Sequence, residues 1–430
     1  MVRPIPLVLI VLVLFSLLVT ANCGVVDDGS KTVVRISTWG GAGDDGEYDK
    51  MVERAYLDFE KANPGVDVRL EGIPGEYVHK MLLNFVAGTQ PDVMIVDASS
   101  AAVFVDNGLL SDLTSYIEND PEFNLGDYYP NVVDICRRGE KIHAIPGDFT
   151  PMVLYYNKDH FDEAGIPYPD ASWDFAKFLE TAQKLTIPGK RHGFAFVNWM
   201  PGWIMWLWNN GGDVLSPDGK KSAGYFDSDA NVETVGFIRD LIKKHKVAPS
   251  LSEAASMGVD LFANGDASMT VSGHWSIVGY KNAPKDSQGR PKINWERLGV
   301  VALPHNTPES HTVMYEAGFA IPKGCKNPDL AWKLVKMWTS YAMQSKYNKS
   351  GIAVCARKDV SEEHSKHPLE AQFLPIIPTA RPPWGSKVEG YETVERIGKN
   401  MMDSVLNTDI DIRTALRNAA ERIDREFAKR

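Results

Sequence analysis

From Val33 onward the chain alternates short apolar runs with amphipathic stretches, and this order limits the fold more than any other feature. Hydrophobic periods of two and 3.6 residues distinguish the strands from the helices. The predicted elements are a strand at 33–39, a helix at 48–62, a strand at 66–72, a helix at 76–87 and a strand at 92–97. The apolar last strand is typical of a parallel strand covered on both faces. This order predicts an α/β protein with an open, doubly wound sheet, whose ligands bind beyond the carboxyl ends of the strands.

The first residues predict export from the cytoplasm. Arg3 gives a short positive start, Leu7–Val19 is apolar except for one serine, and Cys23 follows shortly after. This arrangement is typical of an export signal, and the apolar run is short for a transmembrane helix of about 20 residues. Its end resembles a bacterial lipoprotein signal, in which the cysteine is lipidated, although Asn22 stands where that pattern has Gly, Ala or Ser. Plain secretion and an uncleaved anchor remain alternatives. The predicted parts are a signal at 1–23 and a tether at 24–32.

Length, charge and cysteine content narrow the class of protein. A chain of 430 residues is long enough for two lobes. The formal net charge of −10 argues against nucleic acid, which requires a basic footprint. Beyond Cys23, three cysteines allow at most one disulfide, and Cys325 with Cys355 is the pair closest in sequence. The two histidines of His364–His367 lie among charged residues, so we interpret that segment as a surface loop and expect no metal site and no cofactor.

Four tryptophans fall within ten residues in the segment 199–208. An indole offers a broad apolar face and one N–H donor, which suits a sugar ring and also suits a protein core. Helical spacing favours Trp203 and Trp206 as faces that stack on a sugar, whereas Trp208 points elsewhere and is expected in the core. Trp199 precedes Pro201 and is assigned to a loop. The alternative is that at least two of the four are core residues.

Several longer segments match a known family in order and spacing. They are Phe59–Val68, Ala87–Asp97, Asn107–Ile117, Ala144–Thr186, Met269–Trp275, Leu298–His305 and Ala317–Ser340. Together they resemble the extracellular solute-binding proteins of bacterial ABC importers, in particular the sugar-binding group. The resemblance implies two α/β lobes joined by hinge strands, a ligand held in the cleft between them, and delivery of that ligand to membrane permease subunits. The cofactor-free, non-catalytic character of the family is expected here as well.

The resemblance also implies where the lobes and hinges lie. Hinges are expected near 147–149, 273–276 and 317–319. The predicted first lobe comprises 31–147 and 276–318, and the predicted second lobe comprises 148–275 and 319–430. The expected location is extracytoplasmic, with the membrane reached only through a lipid at Cys23.

Sugar binding needs aromatic faces and hydrogen-bonding side chains, and the candidates follow from position. Trp39 and Trp275 stand at strand ends beside glycines, and Trp384 follows a proline pair. The carboxylates of Asp97, Asp148 and Glu316 are expected to accept bonds from sugar hydroxyls, and Arg381 to donate one. The predicted ligand-binding residues are Trp39, Asp97, Asp148, Trp203, Trp206, Trp275, Glu316, Gly318, Arg381 and Trp384.

Each candidate has a structural alternative. The tryptophans would then pack between elements, the acids would cap turns, and Arg381 would form an ion pair. Tyr315 is expected to pack within its strand. A different class of function, an exported glycan-cleaving enzyme, would use the cleft carboxylates in pairs, but the sequence carries no other catalytic motif.

Overall fold

A computed structural model describes residues 31–39, 47–350, 354–364 and 367–429. The predicted signal, Cys23 and the tether up to residue 30 lie outside these residues, as do the two central residues of His364–His367. The strands are β1 (Thr32–Thr38), β2 (Val66–Gly72), β3 (Val93–Asp97), β4 (Arg137–Arg138), β5 (Lys141–Ile142), β6 (Ile145–Pro151), β7 (Val153–Asn157), β8 (Met269–Ser272), β9 (Leu298–Val301), β10 (Thr312–Ala320), β11 (Val354–Cys355) and β12 (Ala380–Arg381).

Helices surround the strands throughout the described chain. They are α1 (Glu47–Ala62), α2 (Tyr77–Ala87), α3 (Ala101–Asp106), α4 (Thr114–Asn119), α5 (Pro130–Val133), α6 (Lys158–Ala164), α7 (Phe175–Leu185), α8 (Met200–Trp208), α9 (Asp229–Lys243), α10 (Leu251–Met257), α11 (Ser276–Lys281), α12 (Pro328–Thr339), α13 (Tyr341–Ser350), α14 (Lys358–His364), α15 (Pro368–Ala371), α16 (Tyr391–Asn407) and α17 (Ile412–Phe427). The five predicted elements between residues 33 and 97 match β1, α1, β2, α2 and β3, with ends shifted by about one residue.

The first sheet has the order β11-β6-β10-β3-β1-β2, and β12 pairs with β10 at one end. β1 lies parallel to β2 and β3, as the alternating pattern predicts. β10 runs antiparallel between β3 and β6, so Ala317 faces Asp97 on one side and Asp148 on the other. The sheet register therefore brings two of the predicted carboxylates to one row.

The second sheet has the order β8-β7-β9, with antiparallel pairing throughout. Alternate residues of β7 are buried on opposite faces, so Leu154 and Tyr156 join one apolar cluster while Val153 and Tyr155 join another. A sheet covered on both faces has few polar positions, which explains the aromatic and apolar sequence of β7. The two-lobed α/β architecture is the one that the sequence predicts.

Strand pairing and helix contacts divide the chain at different points from the predicted lobe boundaries. β9, within the segment 276–318 expected in the first lobe, pairs in the second sheet. α12, within the segment 319–430 expected in the second lobe, contacts β3 and β6 of the first sheet, whereas α16 and α17 contribute to the second core. The physical reason is that β10 carries the chain from the second core at Val313 into the first core at Phe319.

The cysteines in the described residues are free thiols. Cys355 is buried and its thiol contacts the carbonyl of Gln344 at 3.0 Å. The Cys325 thiol contacts the carboxylate of Asp92 at 3.3 Å. The Cys325–Cys355 disulfide that the sequence left open is therefore not formed. None of the described helices is long and apolar enough to span a bilayer.

Candidate functional site

Three aromatic side chains meet where β10 leaves the second lobe. The ring of Trp199 stacks on Tyr315, with centroids 6.0 Å apart and planes 27° apart. Trp275 meets both rings edge-on, at 6.3 Å from Trp199 and 6.4 Å from Tyr315. Trp199 and Trp275 remain 41 % and 38 % exposed, and both line a cavity of about 170 Å³. We call these three residues the aromatic trio.

The backbone at the start of α8 explains why Trp199 is displayed. Trp199 is the last residue before the helix and has an extended backbone, with φ −128° and ψ 115°. Pro201 follows within the first turn, where its missing N–H removes no helical hydrogen bond. Trp199 therefore projects from the helix end, outside the buried interior of α8.

The other three tryptophans of the cluster are core residues in this structure. Trp203, Trp206 and Trp208 are 0 %, 1 % and 4 % exposed. Trp203 Nε1 donates a 3.0 Å hydrogen bond to Asn198 Oδ1, which satisfies the one polar atom of the buried indole. Trp203 is wholly buried, so the core alternative describes it better than the predicted stacking role. Trp206 is almost as buried, but it also forms part of the wall of the cavity that Trp199 and Trp275 line.

Trp39 lies at the end of β1, on the first lobe. It is 39 % exposed and meets Tyr77 edge-on at 6.2 Å. Tyr77 is itself held by a 3.0 Å bond from its hydroxyl to the carbonyl of Ile95. The Trp39 ring therefore packs against the fixed Tyr77 ring and is partly exposed to solvent. It lies directly after the end of β1, as the sequence predicted.

Asp97 closes the turn that follows β3. Its Oδ1 accepts hydrogen bonds from the backbone N–H of Ser100 at 2.8 Å and from the Ser100 hydroxyl at 3.0 Å. These bonds match the structural alternative, in which Asp97 caps a turn. Because a carboxylate has about four acceptor positions, they do not exhaust the capacity of Asp97.

Asp148 lies in β6, within the first predicted hinge. The Tyr347 hydroxyl donates to Asp148 Oδ2 at 2.7 Å. Burial raises the pKa of Asp148 to about 6, although the bond from Tyr347 and the charge of His274 act in the opposite direction. Asp148 is therefore an acid that titrates close to neutral pH.

Glu316 is the most buried of the predicted acids, at 3 % exposed. Its Oε2 atom has no hydrogen-bond partner among the described residues. Burial raises the pKa of Glu316 well above the ordinary range, and the charges of Asp148 and Asp97 add to this effect. A side chain at Gly318 would collide with Glu316 Oε1. Gly318 therefore makes room for this carboxylate, a role different from the predicted contact with ligand.

Glu395 is a fourth acid that the sequence reasoning missed. It lies half-buried on α16, one turn after the buried Tyr391. Burial raises the pKa of Glu395 to about 7, and the charges of Asp97 and Glu392 raise it further. The available signal was its position four residues after Tyr391 and directly after Val394, on the apolar side of an amphipathic helix.

Arg381 and Trp384 belong to a neighbouring cluster on the second lobe. The Arg381 guanidinium lies over the Trp208 ring, 5.6 Å from its centroid. Trp384 Nε1 donates to Asp213 Oδ1 at 2.8 Å. Gly385 then lies against the backbone of Ser99 in the first lobe, so tightly that a Cβ atom would clash. Trp384 packs as its structural alternative predicts, and the segment after it bridges the lobes. Arg381 packs over an indole ring, and the predicted ion pair is not formed with the described residues.

Within the described part of the chain, no group of three or more His, Cys, Asp and Glu side chains is arranged to hold a metal ion. The site thus consists of exposed aromatic faces, a small cavity and several carboxyl groups. Such a surface can stack on apolar ring faces and can accept or donate hydrogen bonds at a ring's edge.

The fold and sequence match known proteins over most of the chain. An ABC substrate-binding protein from Listeria monocytogenes, solved in complex with cycloalternan, superposes with a TM-score of 0.79 at 23 % identity, over 93 % of this chain and 99 % of that one. A putative binding protein of Brucella abortus is 23 % identical over 88 % of this chain and 89 % of its own length. The maltodextrin-binding protein of Bacillus subtilis is 25 % identical over 78 % of each.

The family comparison agrees with these relatives. Residues 42–345, more than half of the 430, match the family described as bacterial extracellular solute-binding protein. The two-lobed α/β fold agrees with this match. The chain belongs to the bacterial extracellular solute-binding protein family.

Proposed function

We propose that this protein is the substrate-binding component of an ABC-type importer and that its ligand is a carbohydrate, most simply an oligosaccharide. The observation that carries the proposal is the aromatic trio: Trp199 and Trp275 line a cavity, and both rings contact Tyr315 of β10, the strand that joins the lobes. Exposed indole faces suit the C–H surface of sugar rings, and the nearby acids suit their hydroxyls. The cycloalternan complex and the maltodextrin-binding protein are relatives whose names point to the same ligand class.

The binding residues that we propose are Trp39, Trp199, Trp275, Tyr315, Asp97, Asp148, Glu316 and Glu395. Closure of the lobes about β6 and β10 would bring Trp39 of the first lobe towards the trio of the second. Arg381 and Trp384 would act from the adjoining cluster, through their contacts with Trp208 and Asp213. The closed, loaded protein would then dock on permease subunits of the importer.

We further propose that the protein works outside the cytoplasmic membrane, after export by the signal at 1–23. A lipid on Cys23 would hold it there through the tether. Mass spectrometry of the mature N-terminus tests this step, since a diacylated cysteine supports it and an unmodified N-terminus contradicts it.

Titration calorimetry with a panel of oligosaccharides of two to six rings tests the ligand class. We expect binding of at least one carbohydrate without release of shorter products on prolonged incubation. Silence towards every sugar, together with binding of a peptide, would contradict the carbohydrate assignment. Steady cleavage of the bound oligosaccharide would instead favour the glycan-cleaving alternative.

A further inference from the structure

The cavity beside the aromatic trio leads from the surface into the core of the second lobe. On its outer side, Trp199 and Trp275 are partly exposed and Val197 is 64 % exposed. On its inner side, Phe194 and Trp206 belong to the second apolar core and are each 1 % exposed. A group that enters from the sugar-stacking surface would therefore become almost completely buried.

The side chains around the cavity are apolar and strongly aromatic. Five of the eleven lining residues are Phe or Trp. Among the described residues that line it, Ser272 alone has a hydroxyl, amide or charged side chain, and its Oγ already lies 2.5 Å from Ser276 Oγ. The main-chain N–H groups of Phe194 and Ala195 donate to carbonyl groups within the lobe, at 3.0 and 2.9 Å. Because a buried water needs about two to four polar partners, these walls favour an apolar occupant.

The size of the cavity matches one six-membered aromatic ring. Its volume is about 170 Å³, close to the ~150 Å³ of an engineered apolar cavity that binds benzene. Pockets that enclose an entire ligand are larger, about 300–1,000 Å³. The cavity therefore fits one substituent of a ligand whose remainder lies outside it.

Contacts within the protein hold the walls in place. The Trp206 ring meets Phe178 and Phe194, with centroids 5.2 and 5.9 Å apart. On the outer side, the Trp275 ring lies against the main chain of Gly273, where a Cβ atom would collide with it. Rings on both sides are thus positioned before any ligand binds, and a formed site loses little conformational freedom on binding.

We propose that the carbohydrate bound by this protein carries an aryl group, joined to a sugar ring through an exocyclic oxygen, and that this aryl group occupies the cavity. Trp199 and Trp275 belong both to the aromatic trio and to the cavity wall, so a sugar that stacks on the trio lies beside the cavity. Aromatic walls suit an aromatic occupant, because offset and edge-to-face ring contacts add to the gain from burial. The inference rests on the proposed carbohydrate-binding function and narrows its substrate class to aryl glycosides and aryl esters of sugars.

A ligand series that varies only the substituent tests this inference. We would titrate the full mature chain with gluco-oligosaccharides of two to four rings, each as its methyl, phenyl and 4-biphenylyl glycoside, and with their acetyl and benzoyl esters at C6. The phenyl or the benzoyl form is expected to bind at least tenfold more tightly than the matching methyl or acetyl form. The biphenylyl form should gain nothing beyond the phenyl form, because its second ring exceeds the cavity.

Heat capacity and salt dependence give a second readout on the parent chain. Burial of the aryl group should make the heat-capacity change of binding more negative than for the methyl form. The aryl preference should not weaken as sodium chloride rises from about 50 to 500 mM, because salt screens charges and these contacts are apolar.

A variant that fills the cavity tests its location. Val271 lines the cavity from β8 and is half-buried, so Val271→Phe should occupy part of the space and reduce the phenyl-to-methyl preference at least fivefold. Val86→Phe is the matched control, because Val86 on α2 of the first lobe is 88 % exposed, and it should leave the preference within twofold. Circular dichroism and thermal unfolding would verify that both variants are folded; if Val271→Phe does not fold, the ligand series and the heat capacity of the parent decide.

The outcomes separate this inference from the proposed function. Tighter binding of a phenyl or benzoyl form that Val271→Phe removes supports the inference. Equal or tighter binding of the methyl and acetyl forms, or an aryl preference that folded Val271→Phe retains, overturns it and leaves the carbohydrate function standing. Silence towards the entire series, with binding of a phenylalanine-containing peptide, overturns both this inference and the proposed function.

Discussion

The start and the interior of helix α8 use the same residue type for opposite purposes. Trp199, immediately before the helix, is 41 % exposed, whereas Trp206, two turns later, is 1 % exposed. Their ring contacts are alike in kind, 6.0 Å from Trp199 to Tyr315 and 5.2 Å from Trp206 to Phe178. The difference is that Trp206 is buried behind the cavity wall, whereas Trp199 lines the same cavity and stays exposed. Position relative to the helix end, and not residue type, separates a ligand surface from a core.

The two regions also differ in how polar atoms are treated. In the interior, Trp203 Nε1 finds Asn198, and Asn198 in turn donates to Asp403 at 2.7 Å. Around β10, Glu316 Oε2 has no partner within the described residues, and burial raises the pKa of Asp148 and of Glu395. The interior is arranged for stability. Around β10, buried carboxyl groups lower the stability of the fold but remain available to bind a ligand.

The largest expected effect is on the interior. Trp203→Ala should lower the free energy of unfolding by about 3–5 kcal/mol, because it leaves a large cavity and removes the donor to Asn198 Oδ1. Urea unfolding followed by circular dichroism measures this loss. Affinity for the bound carbohydrate, measured well below the melting temperature, should change less than threefold. A large loss of affinity with full stability would place Trp203 among the ligand contacts and break the comparison.

Trp199→Ala should have the opposite profile. Removal of one stacking face of some 50–100 Å² should weaken carbohydrate binding by about 1–3 kcal/mol, or roughly fivefold to 150-fold. Its cost in unfolding free energy should stay near 1 kcal/mol, since much of the ring is already exposed. Calorimetry and urea unfolding on the same preparation separate these quantities. Unfolding comparable to that of Trp203→Ala, with unchanged affinity, would show that Trp199 is a packing residue.

The sequence was sufficient for the fold because hydrophobic period and element order are local signals. The elements from β1 to β3 were predicted within about one residue, and Asp97 was placed at the correct end of β3. The sequence predicted the roles of the four clustered tryptophans less well than it predicted the fold. Helical spacing identifies which residues share a face, but it does not state whether that face meets solvent or another layer.

Long-range neighbours account for the remaining differences. The charges of Glu395 and Asp97 interact although the two residues lie some 300 positions apart in the chain, and no local pattern signals such a proximity. The lobe boundaries shifted for a similar reason, since only strand pairing reveals that β9 belongs with β7. Gly318 was predicted to contact the ligand. In the structure a side chain at this position would collide with Glu316, which explains the glycine.

The pH dependence of stability sharpens the contrast between cleft and interior. Burial raises the pKa of Asp148 from 3.8 to about 6, so between these values the folded protein binds more protons than the unfolded chain. Stability should therefore fall as pH rises from about 4 to 6. Asp148→Asn stays neutral and should be more stable than the parent by about 1–2 kcal/mol at pH 7, but no more stable at pH 4. Thermal unfolding across this range measures the difference.

Asp409→Asn is the control for that experiment, because the Asp409 side chain is fully exposed on the same chain. It should leave the pH profile of stability unchanged. If Asp148→Asn were less stable than the parent at every pH, the hydrogen bond from Tyr347 would outweigh the burial of charge. The cleft acid would then be a stabilising residue like those of the interior.

The smallest expected effect lies where the two regions meet. Gly202 is in the first turn of α8, and a Cβ atom there would lie 3.2 Å from the Cε3 atom of Trp199, closer than ordinary contact. Gly202→Ala should add about 0.5–1 kcal/mol of helix stability, yet tilt the Trp199 ring and weaken carbohydrate binding by a few fold. Gly236→Ala in α9 is the matched control, since its Cβ atom would meet only Ile412, at an ordinary 3.6 Å. The control should gain similar stability with unchanged affinity. If both variants bind carbohydrate as tightly as the parent, the orientation of Trp199 does not determine affinity. If only Gly202→Ala binds more weakly, stability and affinity depend on different contacts within one turn of this helix.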